Sequence, residues 1–487
     1  MAEIRPIKRL LIANRGEIAT RILSTTRELS IPTYTLHTPS DTLHTHHSTH
    51  SIALPSPSSY LDISHLITLV KHYAIDTIHP GYGFLSESAE FSQRMLTEAN
   101  CHVIGPGPAI LSRTGDKLQA RALAQECNVP VLPALQNPTS SPSDVETFAQ
   151  KVGYPIVVKA VDGGGGRGIR IVYQSSELER SVSLALKESP STLIFAEKAA
   201  ISGYRHIEVQ IIGDGTGAVR HLWERECSIQ RRFQKVVEFA PSSLANRRLV
   251  SKVIEATLKM ARQVRFLSLG TFEFLVSEEK EEYWFLEVNP RIQVEHTVTE
   301  QLALGVDLVR LQVLIAQGYR LEDVFPRFLG QDPEVPPPVY SIQLRVTAED
   351  VANNWALSVG KIKGFGFPMG NGVRVDTHLT SGHPAVIGTD FDSLLAKTRN
   401  FRKLMGNRRF QSKKSTRRNL DRRHNNKPKH PPRYPRQPRF REWKMRYAMA
   451  RNSSPFLTKK RRDVNTKTTT KTDKYGDNHH STLNYPS

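Results

Sequence analysis

Short apolar runs separated by polar turns recur through the first four hundred residues. Leu10-Leu11-Ile12-Ala13 reads as a buried strand, and beyond Asn14-Arg15-Gly16 the positions Ile18, Ile22, Leu23 and Leu29 share one helical face. Further strands are predicted at Thr33–His37, 75–79 and 102–105, alternating with helical stretches, which gives an α/β layout with a mostly parallel sheet. A segment rich in Pro, Ser and Thr at 136–144 marks a boundary. Beyond it, Ile156–Ala160 and 169–173 predict two strands joined by a glycine run. The stretches 206–212 and 218–224 predict antiparallel strands around Gly213-Asp214-Gly215, and 271–276 with 283–288 a hairpin. A helix is expected at 298–304. Prolines crowd 332–338, a linker into a small third region ending near Lys397. The expected organisation is 1–112, 113–325 (with a glycine-rich lid at about 135–203), 338–398 and 399–487.

Past residue 398 the pattern fails. Residues 399–487 hold 27 Lys and Arg against 5 Asp and Glu, with neither strand nor helix periodicity. Such a segment buries too little apolar surface to offset its chain entropy, and it reads as a disordered basic tail. The net charge of +20 therefore belongs to an appendage. Tail cations with Tyr434, Phe440 and Trp443 could attach to nucleic acid or an anionic membrane, but no recognition motif accompanies them, so nucleic acid is not the expected partner. The abrupt change also suggests a shifted reading frame or a missed intron. Three separated cysteines, Cys101, Cys127 and Cys227, predict neither a disulfide framework nor a zinc site. With no secretory signal, no mitochondrial leader and no long apolar run in view, a cytoplasmic location is expected, with mitochondria the second option. His44, His46, His47 and His50 read as members of a polar surface loop.

Three constellations carry chemistry. Five glycines between Gly163 and Gly168 let successive N–H groups turn toward an anion, and Lys159 and Lys117 could neutralise phosphate oxygens. Alone, the run could also be a flexible hairpin tip, the lesser of the two readings. Glu273 and Glu287 interrupt apolar hairpin strands, where an unpaired carboxylate is costly unless a cation meets it. They share a face only in matched register, for instance directly opposite; alone, they could be ordinary ion-paired residues. Arg291, Gln293 and Glu295 leave the end of that hairpin with a donor fork, an amide and a proton acceptor, a set suited to a small planar anion. A capped turn is the plainer reading of that cluster by itself. The turn at Asn14-Arg15-Gly16 lacks the GxGxxG spacing of a dinucleotide fold.

Taken in order, Ala13–Ala19, the HPGYGFLSE run from His79 to Glu87, the glycine loop, the ECSIQRR run from Glu226, Gln234–Glu238, Gly270–Phe274 and the 287–295 segment with its RIQVEH motif resemble the biotin carboxylase family. The likeness runs from about Lys8 to Lys397. It implies a parallel-sheet domain preceding an ATP-grasp α+β domain, then a C-terminal domain that is incomplete here. It implies that Lys117, Lys159, Gly163, Gly164, Gly165, Gly166, Glu197, Lys198, His206 and Gln230 contact ATP. Glu273, Glu287 and Asn289 would hold Mg2+ (or Mn2+). Lys235, Arg291, Gln293, Val294 and Glu295 would enclose bicarbonate, with Glu295 as its base. Arg345 would face the biotin ureido oxygen, with Tyr82 nearby.

The implied reaction is ATP-dependent carboxylation of biotin through carboxyphosphate. No biotinylation motif occurs, so a carrier and a carboxyltransferase are expected from elsewhere, and a homodimer is an open arrangement. Phe233 stands where many members have His. About fifty residues that normally finish the domain are replaced by the basic tail. Two other readings follow: an impaired relative whose tail binds nucleic acid or membrane, and a different ATP-grasp carboxylate ligase.

Overall fold

The structure, a computed structural model, describes residues 4–403 apart from 162–167, 304, 326–331, 363 and 369, and gives only backbone for 401–403. The glycines Gly163, Gly164, Gly165 and Gly166 lie outside the described residues, as does the tail from 404 onward. Among the described residues, no helix is long and apolar enough to cross a membrane.

The first sheet contains β1 (Leu10–Ile12), β2 (Thr33–His37), β3 (His50–Ala53), β4 (Thr77–His79) and β5 (His102–Val103). They run parallel in the order β3-β2-β1-β4-β5. The strand order reverses beside β1, which opens a crevice at the strands' carboxyl ends. Two loops flank that crevice and are stitched together: Asn14 donates from Nδ2 to the carbonyls of Pro80 at 2.7 Å and Tyr82 at 2.8 Å. The helix Gly16–Glu28 leaves β1 as its apolar spacing predicts.

The histidine-bearing segment differs from expectation. His44 is buried and donates from Nε2 to the Leu36 carbonyl at 2.9 Å, while His50 opens β3. A polar composition concealed a strand on the sheet edge and a ring that satisfies a backbone carbonyl.

A three-stranded sheet follows, β6 (Ile156–Ala160) flanked by β7 (Ile169–Val172) and β8 (Ile194–Lys198). Strands β9 (Arg205–Asp214), β10 (Val219–Arg231), β11 (Gln234–Ala240), β12 (Leu267–Ser277), β13 (Glu282–Asn289) and β14 (Val339–Thr347) belong to a large antiparallel sheet. Besides the short pairs β15 (Glu349–Asp350) with β16 (Ala356–Leu357) and β17 (Gly360–Ile362) with β19 (Ala385–Ile387), the C-terminal region adds β18 (Val373–Thr377) and β20 (Leu394–Lys403) to that sheet. Its order is β13-β12-β9-β10-β11-β14-β20-β18, so the C-terminal strands extend the central sheet. Strand β20 carries on into the first residues of the basic segment. The helix expected at 298–304 begins earlier, as His296–Leu302.

One face of the large sheet is apolar. Ile207, Val209, Ile211, Phe272 and Phe274 pack there against Leu249, Val250, Val253, Ile254 and Met260 of the helix Arg247–Gln263. The ladder is tight at Gly213, where an added Cβ would stand 2.1 Å from the backbone oxygen of Phe266. Gly213→Ala is therefore expected to destabilise the fold by about 1–3 kcal/mol, because a backbone carbonyl must move. Thermal melting of the variant against wild type checks this.

Candidate active site

Register builds the other face. Glu273 stands opposite Glu287 on one side and Glu208 on the other, and Glu208 in turn stands opposite Arg225. Side chains in such a row share one face of the sheet. One row thus brings three carboxylates and a guanidinium together across β13, β12, β9 and β10. A bulge lies between Glu273 and Phe274, so Phe274 pairs with Phe285. Bulges re-aim side chains: Glu287 reaches the polar face, although Phe285, two residues before it, packs in the core with Phe274 at 5.8 Å between ring centres.

Lys235 on β11 is the hub. Its ammonium donates to Glu208, to Glu273 Oε1 at 2.7 Å and to Glu295 Oε1 at 2.9 Å. These carboxylates hold its pKa well above the ordinary lysine value, despite burial, which opposes the charge. Burial alone would keep Glu273 protonated, but Lys235 and His206 outweigh it and hold the carboxyl well below the ordinary range. Glu295 behaves alike: Lys235, Arg345 and Arg225 overcome its burial and keep it ionised. Arg345 on β14 donates to Glu238 Oε1 at 2.6 Å and Glu295 Oε2 at 3.0 Å. Glu287 is the exception. Loss of solvation, then the Glu273 charge beside it, pushes its pKa upward.

Arg225 is fully buried and accounts for what the sequence reading left out. It donates to Glu208 at 2.5 Å, Gln210 at 2.8 Å, Thr299 at 2.7 Å, Gln293 at 2.6 Å and Thr271 at 3.2 Å. It thereby fixes Gln293, whose amide donates to Glu273 at 3.1 Å. Glu208 had a sequence signal: His206, Glu208 and Gln210 alternate with Ile207, Val209 and Ile211, the mark of a strand with one polar face. Arg225, Glu238 and Glu17 had no comparable signal.

Of the candidate residues, Glu273, Gln293, Glu295, Lys235, Arg345, His206, Gln230 and Asn289 form one connected network. His206 bonds Glu273 at 2.6 Å and Gln230 at 3.1 Å, and Asn289 donates to Glu273 at 2.9 Å. Lys117 and Lys159 lie near enough to act on the Glu287 charge. Lys159 pairs with Glu197. Arg291 joins the network only at its edge, donating to Asn289 at 3.1 Å and to Glu87 at 2.5 Å, with no bond to Glu295. Others stand apart from the cluster. Lys198 bonds the carbonyls of Gly153 and Tyr154. Tyr82 donates to Glu17, and the Val294 carbonyl accepts from Lys397 at 2.9 Å.

The row can hold a divalent cation. Glu208, Glu238, Glu273, Glu287 and Glu295 meet three permanent cations, Lys235, Arg225 and Arg345, and His206, its pKa drawn up by Glu273 against burial, adds at most one more. The remaining negative charge, with Glu287 bonded to no cation among the described residues, is what an oxygen-preferring ion offsets. Ligand-capable atoms of His206, Glu208 and Glu273 already lie within 4.8 Å of one another.

Comparison with known proteins agrees with this geometry. The family described as "Biotin carboxylase, N-terminal domain" matches residues 6–111, "Carbamoyl-phosphate synthase L chain, ATP binding domain" matches 116–324, and "Biotin carboxylase C-terminal domain" matches 343–422. The mouse mitochondrial pyruvate carboxylase is 41% identical over 405 residues, 81% of this chain and 34% of the relative. The Bacillus subtilis pyruvate carboxylase is 41% identical over 401 residues, 80% of this chain and 34% of the relative. The chain thus spans about a third of the length of these curated relatives. A Campylobacter jejuni biotin carboxylase crystal structure in complex with β,γ-ATP superposes with TM-score 0.74 at 34% identity, over 82% of this chain and 88% of that one. The biotin carboxylase domain dimer of the Hydrogenobacter thermophilus 2-oxoglutarate carboxylase, solved with MgADP, ADP and bicarbonate, also gives 0.74, at 35% identity over 82% of this chain and 86% of that one. Motif order, site geometry and these matches together establish that the chain belongs to the biotin carboxylase family.

Proposed function

We propose that this chain uses ATP to activate bicarbonate and carboxylates biotin held on a carrier, through carboxyphosphate. One observation carries the reading: Lys235 bonds both Glu273 of the acid row and Glu295 on the segment after β13, so nucleotide-side and anion-side groups meet at one ammonium.

Lys117, Lys159 and the glycine loop take the phosphates, and Glu197, Lys198, His206 and Gln230 the rest of the nucleotide. Glu273, Glu287 and Asn289 hold Mg2+ or Mn2+, which when bound supplies positive charge against the phosphate oxygens. Lys235, Arg291, Gln293 and Val294 enclose bicarbonate. Its arrival competes for Lys235 and Arg345, which raises the proton affinity of Glu295 when a base is needed. Glu295 takes the bicarbonate proton as the bicarbonate oxygen attacks the γ-phosphorus and ADP leaves. Carboxyphosphate then divides into CO2 and phosphate, and the phosphate accepts the biotin N1′ proton. Arg345 stabilises the charge that develops on the ureido oxygen, with Tyr82 beside the ring.

A biotin carrier and a carboxyltransferase complete the overall reaction, pyruvate is the acceptor to test first by likeness to the relatives, and the working form is a homodimer. Three unpaired, buried cysteines suit a reducing compartment such as the cytoplasm. The test is ATP cleavage by the purified chain with free biotin. Cleavage is expected to need bicarbonate and to rise with biotin; equal cleavage without bicarbonate would sink the reading.

Glu287→Gln separates the metal role from the fold. Without metal, the variant is expected to melt above wild type, because it removes a carboxylate that burial and Glu273 make costly to ionise. Mg2+ with ADP should then raise the melting temperature of wild type and not of the variant. A variant that responds to Mg2+ like wild type would remove Glu287 from the ligand set.

A further inference from the structure

Lys397 lies on β20 with no exposed surface, directly opposite Arg345 of β14 in the ladder. Its ammonium meets three parts of the chain. It donates to the Val294 carbonyl at 2.9 Å, pairs with Glu17 Oε2 of the helix after β1 at 3.1 Å, and lies 3.4 Å from His296 Nδ1. That nitrogen bonds the Gln293 carbonyl at 2.8 Å, so the imidazole donates there and offers Lys397 no acceptor. Two acceptors therefore hold the ammonium: a carboxylate on the first domain and the carbonyl between Gln293 and Glu295.

We infer that Lys397 is a positioning residue for the anion end of the site, holding the Val294 carbonyl so that Gln293 and Glu295 are presented together. The inference rests on the bicarbonate role proposed above. Gln293 is fixed from one side by Arg225 and Glu295 from another by Lys235; between them His296 holds the Gln293 carbonyl, and the Val294 carbonyl has only Lys397 among the bonds described. A burial this complete makes the lysine expensive unless both acceptors stay in place. Small displacements of a binding group have large effects on binding and rate.

The test uses the full chain and [13C]bicarbonate affinity by NMR line broadening in the presence of MgADP, a readout that needs no turnover. Lys397→Met is expected to weaken bicarbonate binding about tenfold or more and to leave MgADP affinity within about twofold. The variant also strands the Glu17 carboxylate and is expected to melt lower. Glu17→Gln combined with Lys397→Met removes both buried charges, so stability should return while bicarbonate affinity stays low. If affinity returns with stability, Lys397 only neutralises Glu17 and the inference is overturned. Glu17→Gln alone keeps the bond to Val294 and should bind bicarbonate like wild type; a tenfold loss there also overturns it. ATP cleavage is read separately. Wild type that binds bicarbonate without cleaving ATP refutes the proposed reaction and leaves the positioning role standing, whereas wild type that binds none refutes both.

Discussion

Glu295→Gln is expected to lower bicarbonate-dependent ATP cleavage by about 10²–10⁴-fold, the span of a lost general base, with nucleotide affinity unchanged. The argument is local. Glu295 is buried, accepts from Lys235 at 2.9 Å and Arg345 at 3.0 Å, and is kept ionised by them against its burial. Glutamine preserves size and offers one carbonyl oxygen to one of these cations, but turns an N–H toward the other and accepts no proton. The groups proposed for the nucleotide on β6, β8 and β9 are untouched. Steady-state kinetics check the split: kcat should fall with the Michaelis constant for ATP nearly constant. A variant retaining a tenth of wild-type turnover would mean that another group, or bicarbonate-bound water, takes the proton.

Much of this arrangement was legible in the sequence because its signals are local. The β12–β13 hairpin follows from Phe272, Phe274, Phe285 and the polar turn between them, and its register was set as the condition for Glu273 and Glu287 to share a face. The bulge that sends Phe285 to the opposite face from Glu287 leaves no trace in composition. Nor does pairing between distant strands: that β14, β20 and β18 extend the same sheet depends on contacts such as Glu238 opposite Gln343 and Arg345 opposite Lys397. Arg225 shows the limit most clearly. An arginine with five bonds and no exposure reads, in one dimension, like any other charged residue of a strand. The matches to known motifs supplied Lys235 and Arg345, but only the fold explains why they meet: β11 and β14 are neighbours.

Lys235→Met is expected to lower stability by about 3–5 kcal/mol, the cost of breaking a buried ion pair by removing one partner, and to leave no measurable biotin-stimulated ATP cleavage. Methionine fills similar volume, so cavity formation is a minor part of the loss. The major part is charge. Glu208, Glu273 and Glu295 all accept from this ammonium, and each is almost fully buried. Glu208 keeps Arg225 and Glu295 keeps Arg345, but Glu273 retains only His206 and two amides. The pH dependence has a definite sign. The raised pKa of Lys235 means that its contribution is complete below the ordinary value of 10.5 and fades only as alkaline pH passes the folded value. The depressed pKa values of Glu273 and Glu295 mean that their contribution is present above 4.5 and fades as pH falls through the folded values. The gap between wild type and variant is therefore widest from about pH 5 to about pH 10 and closes in acid. Urea unfolding at pH 7 and pH 3 measures it directly. A gap that stays constant between those two pH values would show that packing of the lysine stem, and not its charge, holds the three acids together.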